Sequence, residues 1–172
     1  MKIFWKAARP VLVVLAVTIV FLLSYLIISS IFKSKEPKFA HDITGVETDG
    51  RTLYSLSDGY GKAGTVLVFF DIDTGKAVEL LQQLTKAAPE STVNVVAVAT
   101  SQKSIEEQKQ LLADAQIVLP HILFDLDGEM AKTYNVHGTP VTYFIDKNGV
   151  IHDAYIASIS AESLRKSIEK IA

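Results

Sequence analysis

The stretch from Val11 to Phe32, VLVVLAVTIVFLLSYLIISSIF, runs for twenty-two residues without a charge, and it restricts the chain more than any other feature. A helix rises about 1.5 Å per residue, so roughly 20 apolar residues are enough to cross the hydrocarbon of a bilayer. The run therefore reads as one transmembrane helix. A cleaved signal peptide would carry a shorter apolar core, about 7 to 15 residues, closed by small residues at a cleavage site. Neither condition is met, so the anchor is expected to stay. Tyr25 and Trp5 stand near the ends of the run, where aromatic rings settle at the headgroups. Lys2, Lys6 and Arg9 precede the span and Lys33, Lys35 and Lys38 follow it, so the positive-inside count is balanced. The short N-terminal tail with its free amine favours an inside N-terminus and a C-terminal domain outside.

Composition divides the chain at the same place. Through Lys38 the net charge is +5, whereas the remainder carries 11 basic and 18 acidic residues, net −7. An acidic globular part with scattered lysines argues against nucleic acid, whose phosphates demand a clustered basic surface. Residues 1–10 form a tail, 11–32 the span and 33–42 a polar joint. Residues 43–172 read as one globular domain, with no repeat, low-complexity tract or second linker inside it. Cysteine is absent. That excludes disulfide scaffolding, thiolate metal sites, cysteine nucleophiles and any dithiol cycle run by this chain alone.

Within the domain, residues 43–48 and 52–57 flank Asp49-Gly50, a dipeptide that favours a tight hairpin turn. Residues 65–70, TVLVFF, form a continuous apolar run expected of a buried strand. Ala77, Val78, Leu80, Leu81, Leu84 and Ala88 then recur at helical spacing until Pro89. A strand over 93–99 follows. Ser104 with Glu107 spells a capping box for a helix carrying Ile105, Leu111 and Leu112, and Met130, Ala131 and Tyr134 mark a shorter helix. VTYFID and VIHDAYI, joined by Lys147-Asn148-Gly149, read as a second hairpin, and Leu164, Ile168 and Ile171 as a closing amphipathic helix. Parallel strands need helical crossovers and a hairpin is antiparallel, so this order predicts an α/β domain with a mixed sheet covered on both faces.

The segment Tyr134-Asn135-Val136-His137-Gly138-Thr139-Pro140-Val141-Thr142-Tyr143-Phe144-Ile145-Asp146-Lys147-Asn148-Gly149 resembles the cis-proline region of membrane-anchored thioredoxin-like thiol-disulfide oxidoreductases. Asp49-Gly50 through Ser57, Gly61-Lys62 and the VLVFF strand are similar to the same family's N-terminal part, so the resemblance covers roughly 42–172. It implies a thioredoxin-like fold, an extracytoplasmic domain and, in the parent family, a Cys-x-x-Cys motif opening the first long helix. Here that stretch reads Phe69-Phe70-Asp71-Ile72-Asp73-Thr74-Gly75-Lys76-Ala77, with Thr74 and Ala77 at the two cysteine positions. A threonine hydroxyl cannot replace a thiolate attacking sulfur. Peroxidase chemistry, which needs the same nucleophile, is excluded too. No catalytic residue, cofactor or metal is expected.

What the resemblance leaves is recognition. In that family the backbone before the cis-proline pairs with an extended substrate as an added strand, a role that falls here to Thr139 and Pro140. A groove walled by Asp73, Thr74, Gly75, Thr139 and Pro140 is one reading; the other is that Pro140 serves folding alone. Asp73 or Thr74 is expected to cap the helix, and Asp71 with Asp73 could attract a cation or a basic partner. The expected protein is thus a membrane-tethered, redox-inactive thioredoxin-like domain that binds an extended protein segment. Oxidoreductase activity with an external thiol and a purely structural subunit are the alternatives. Ile122-Leu123-Phe124-Asp125-Leu126-Asp127-Gly128 spells the aspartyl-phosphatase motif, but too little chain follows to supply its remaining residues. Asp127 reads instead as a cap for the short helix. His41, His121, His137 and His152 are dispersed, without the spacing of a helical zinc site.

Overall fold

Every residue of Thr65–Phe70 (β4) is buried, because a strand flanked on both edges and covered on both faces has no solvent side. In the computed structural model, which describes residues 18–24, 37–87 and 92–172, β4 pairs in parallel with Asn94–Ala99 (β5) and antiparallel with Val141–Ile145 (β7). His121–Phe124 (β6) runs parallel beside β5, Val150–Ile156 (β8) antiparallel beside β7, and Lys38–Phe39 (β1) closes the edge beside β8. The order is β1-β8-β7-β4-β5-β6. Thr44–Val46 (β2) and Leu53–Ser55 (β3) form a separate hairpin over the Asp49-Gly50 turn.

Side chains alternate across the sheet with period 2, and each face has its own core. Val66, Val68 and Phe70 pack with Gly75–Ala87 (α2), Ile105–Asp114 (α3) and Ala161–Ile171 (α5). Leu67 and Phe69 face the other way, against Tyr54 and Leu56 of the hairpin region and Met130 of Glu129–Thr133 (α4). Helix α2 buries Ala77, Leu80, Leu81 and Leu84, the predicted stripe, with each leucine contributing about 1.5–3 kcal/mol. Its expected stop at Pro89 lies outside the described residues. The fold is thioredoxin-like α/β, a mixed sheet between two helical layers.

Three local expectations are corrected. Strand β6 is a sheet member that its four-residue HILF spelling did not announce. Lys38–Phe39 belongs to the sheet, although composition places it in the polar joint; the compact unit runs from Lys38 to Ala172. Ser104 Oγ accepts the Glu107 amide at 3.3 Å, yet the Glu107 carboxylate turns to Lys103 Nζ at 3.2 Å rather than closing the capping box.

The other unit is Met1–Pro37. Only residues 18–24 of the apolar run are described; they form a helical stretch (α1) with Val20, Phe21 and Leu22 exposed. Among the described residues no helix is long and apolar enough to cross a membrane. The rest of the span over 11–32, the tail with Trp5, Tyr25 and residues 33–36 of the joint lie outside them.

Candidate functional site

The carboxyl ends of β4 and β5 and the start of β7 share one edge of the sheet. Because Phe69 is opposite Val141 in the β4–β7 register, the chain leaving β4 into Asp71–Gly75 and the chain entering β7 through Thr139–Pro140 emerge side by side. The Thr139–Pro140 peptide is cis. Register thus brings Asp73, Thr74, Gly75, Thr139 and Pro140 to a common end of the fold.

Asp71 organises the first wall. Its Oδ1 accepts the Asp73 amide at 3.0 Å, and its carbonyl accepts the Thr74 amide at 3.1 Å and Thr74 Oγ1 at 2.9 Å. The expected side-chain cap is therefore not made by either candidate. Thr74 points its hydroxyl back along the loop, while Asp73 Oδ2 faces Lys103 Nζ at 3.5 Å. The Thr74 carbonyl receives Ala77 and Val78, which leaves the amides of Gly75 and Lys76 as the pair a helix cannot satisfy from within. Ala77, at the second cysteine position, is completely buried.

Lys103 was not legible as a site residue. It reaches the wall because Gln108, completely buried on α3, donates Nε2 to the carbonyls of Ser101 and Lys103 at 3.3 and 2.8 Å. Asp73 and Glu107 on either side hold the Lys103 ammonium above its usual pKa, the hydrogen bond to Glu107 contributing most. Thr100 ties the same turn to β4, its amide and hydroxyl both donating to the Phe70 carbonyl at 2.9 and 3.0 Å.

The second wall hangs from Tyr134. Its ring packs 5.2 Å from Phe69 and 5.1 Å from Tyr143, and its hydroxyl donates to the His41 carbonyl at 2.6 Å. Burial drives that hydroxyl's pKa strongly upward, so it stays a donor. Tyr143 OH returns a bond to the Tyr134 carbonyl at 3.2 Å. On the far side of Pro140, its carbonyl accepts the Ala157 amide at 2.8 Å, and Ile156, paired with Val141, stands 81% exposed. Alternation along VIHDAYI puts Ile156 on the face of His152 and Ala154, both exposed as well.

The arrangement holds no nucleophile with an adjacent base: Thr74 Oγ1 donates to a backbone carbonyl. Among the described residues no three metal-ligating side chains gather. His121 and His152 each face one carboxylate, Glu47 at 2.6 Å and Asp146 at 2.9 Å. Asp125 is buried and accepts the amides of Met130 and Ala131 at 3.0 and 2.7 Å. It is therefore the cap of α4 and not a phosphatase nucleophile. Asp127, the expected cap, accepts only the Glu129 amide at 3.1 Å.

Comparisons with known proteins agree with this scaffold. A region of 89 residues is 28% identical to the thioredoxin-like protein YneN of Bacillus subtilis, and the match spans about half of each chain, 52%. A secreted Mycobacterium tuberculosis disulfide oxidoreductase is 20% identical and superposes with a TM-score of 0.65 over 74% of this chain and 95% of its own. StoA from Bacillus subtilis, 19% identical, does so at 0.62 over 74% and 96%. These two likenesses show the fold. The AhpC/TSA family pattern matches residues 36–154, more than half of the sequence, and this cysteine-free chain belongs to that family.

Proposed function

We propose that this protein is a redox-inactive, membrane-tethered thioredoxin-like domain that binds an extended segment of a partner protein along the groove at Thr139–Pro140. The observation that carries the reading is a contrast at one edge of the sheet. The wall where thiol chemistry would sit is closed in on itself by Asp71 and by the Asp73–Lys103 pair, whereas beside Thr139–Pro140 the apolar Ile156 stands uncovered. An extended segment laid there adds a strand and gains main-chain hydrogen bonds. Tethering through the Val11–Phe32 run, with the domain on the outer side of a bacterial cytoplasmic membrane, would restrict partners to secreted or membrane-bound chains.

In-cell photo-crosslinking tests this reading. Probes at positions 74 and 139 of the full-length chain should trap a discrete protein, and Pro140→Ala should reduce its capture at least tenfold while probes on the exposed face of α5 remain silent. Equal capture by native and Pro140→Ala chains would refute groove binding.

A further inference from the structure

The β6 edge of the sheet carries a second groove, separate from the one at Thr139–Pro140. It encloses about 350 Å3 between the β2–β3 hairpin, the start of α3 and the β6–α4 turn, a size at the lower end of ligand-binding clefts. Val46, Ile105, Phe124 and Leu126 give it an apolar lining. Val46 is 44% and Leu126 50% exposed, so two large side chains meet water at a concave surface. The walls are firm. Glu47 bridges to Leu123 across the edge, and the hairpin sits so close that a Cβ on Gly45 would come within 3.2 Å of Leu123 and Met130. A groove already shaped loses little entropy on binding.

The charged residues of the lining itself are all acidic. Glu47, Asp127 and Glu129 line the groove, and no basic residue does among the described residues. Glu47 is engaged by His121 at 2.6 Å and Glu129 by Lys132 at 3.1 Å. Among the described residues Asp127 faces no cation and accepts only the Glu129 amide. Asp49, at the hairpin tip beside the lining Gly50, is already satisfied by the Arg51 and Thr52 amides and the Thr52 hydroxyl. A second copy of the domain is a poor fit, since the chain beyond Lys38 carries 18 acidic against 11 basic residues and like charges oppose contact.

We infer that this groove docks a protein segment presenting an apolar side chain flanked by lysine or arginine. The apolar side chain covers Val46 and Leu126, and the flanking cations answer Asp127 and its neighbours. Charge complementarity of this kind sets partner choice and encounter rate, while the buried anchor supplies affinity.

Fluorescence anisotropy with a labelled six-residue peptide of alternating lysine and leucine, titrated with the full-length chain in zwitterionic micelles, tests the inference. Binding should weaken as salt rises and fall at least tenfold for Asp127→Lys and for Leu126→Ser. Val46→Ser, on the opposite wall, guards against a folding defect in either. The glutamate–leucine counterpart should bind at least tenfold less well, and Pro140→Ala should leave the affinity unchanged, which separates this groove from the first. Equal binding of both peptides, or of native and variant chains, would overturn the inference. So would peptide-independent self-association that Leu126→Ser abolishes, because a second copy would then be the occupant.

Discussion

A carboxylate is stabilised by what donates to it, and three aspartates here do different work for that reason. Asp125 is buried and receives two α4 amides. Replacing it with alanine leaves both donors without a partner away from water, so Asp125→Ala should destabilise the domain by about 1–3 kcal/mol in urea unfolding. Asp146 accepts the amides of Asn148 and Val150 at 2.8 and 3.0 Å and faces His152. Burial alone would raise its pKa; the bonds from His152 and the two amides outweigh that and hold it low. A folded pKa below the unfolded value, about 3.9, means that the contribution is complete above that pH and disappears as pH falls through the folded value. Amide-exchange protection at Val150 should therefore drop at the acid end in the native chain, and Asp146→Asn should show the weaker protection already at neutral pH. Asp71 was legible as one of an acidic pair but not as the residue that organises the loop. Its side chain takes the Asp73 amide, a local geometry that cannot be told from sequence apart from a cap by Asp73 or Thr74 one turn later.

Elements were legible where hydrophobic periodicity is long and strong. The stripe of α2, the six buried residues of β4 and the Leu164–Ile171 face of α5 were all readable. Strands β1 and β6 were not. Each is short, two and four residues, and owes its conformation to a neighbour far along the chain: Phe39 pairs with Val150, and Leu123 with Val98. Such pairings are settled by tertiary context rather than by local propensity. The seating of α5 depends likewise on one distant residue. A Cβ on Gly64 would fall 2.1 Å from the Ile171 carbonyl oxygen and 2.8 Å from its carbon. Backbone cannot yield as a flexible side chain does, so Gly64→Ala should displace the last turn of α5 and cost about 1–3 kcal/mol. A lowered thermal midpoint with exchange losses confined to α5 would show this; an unchanged midpoint would not fit the packing.

For the whole molecule, the mixed sheet covered on both faces was readable as a class although its strand order was not, and the loss of cysteine was readable at once. The shape of the site was not, because it depends on register between β4 and β7, on the Gln108 bonds that carry Lys103 forward and on the outward Ile156. Joined together, these findings describe a thioredoxin-like scaffold without cysteine, whose edge at Thr139–Pro140 we propose to serve recognition. Chemistry should then return if only the thiols are restored. Thr74 is half-buried at the start of α2 and Ala77 lies beneath it, fully buried, so Thr74→Cys would place a thiol where the helix N-terminus lowers its pKa, against some opposition from Asp71 and Asp73.

The most direct test is therefore reduction of a protein disulfide by the full-length chain and by its Thr74→Cys, Ala77→Cys double variant, with a low-molecular-weight thiol as the reductant. The native chain should not exceed the rate of the thiol alone, and the double variant should rise at least tenfold above it. Reduction by the native chain above that background would contradict the account, as would a folded double variant that stays at background.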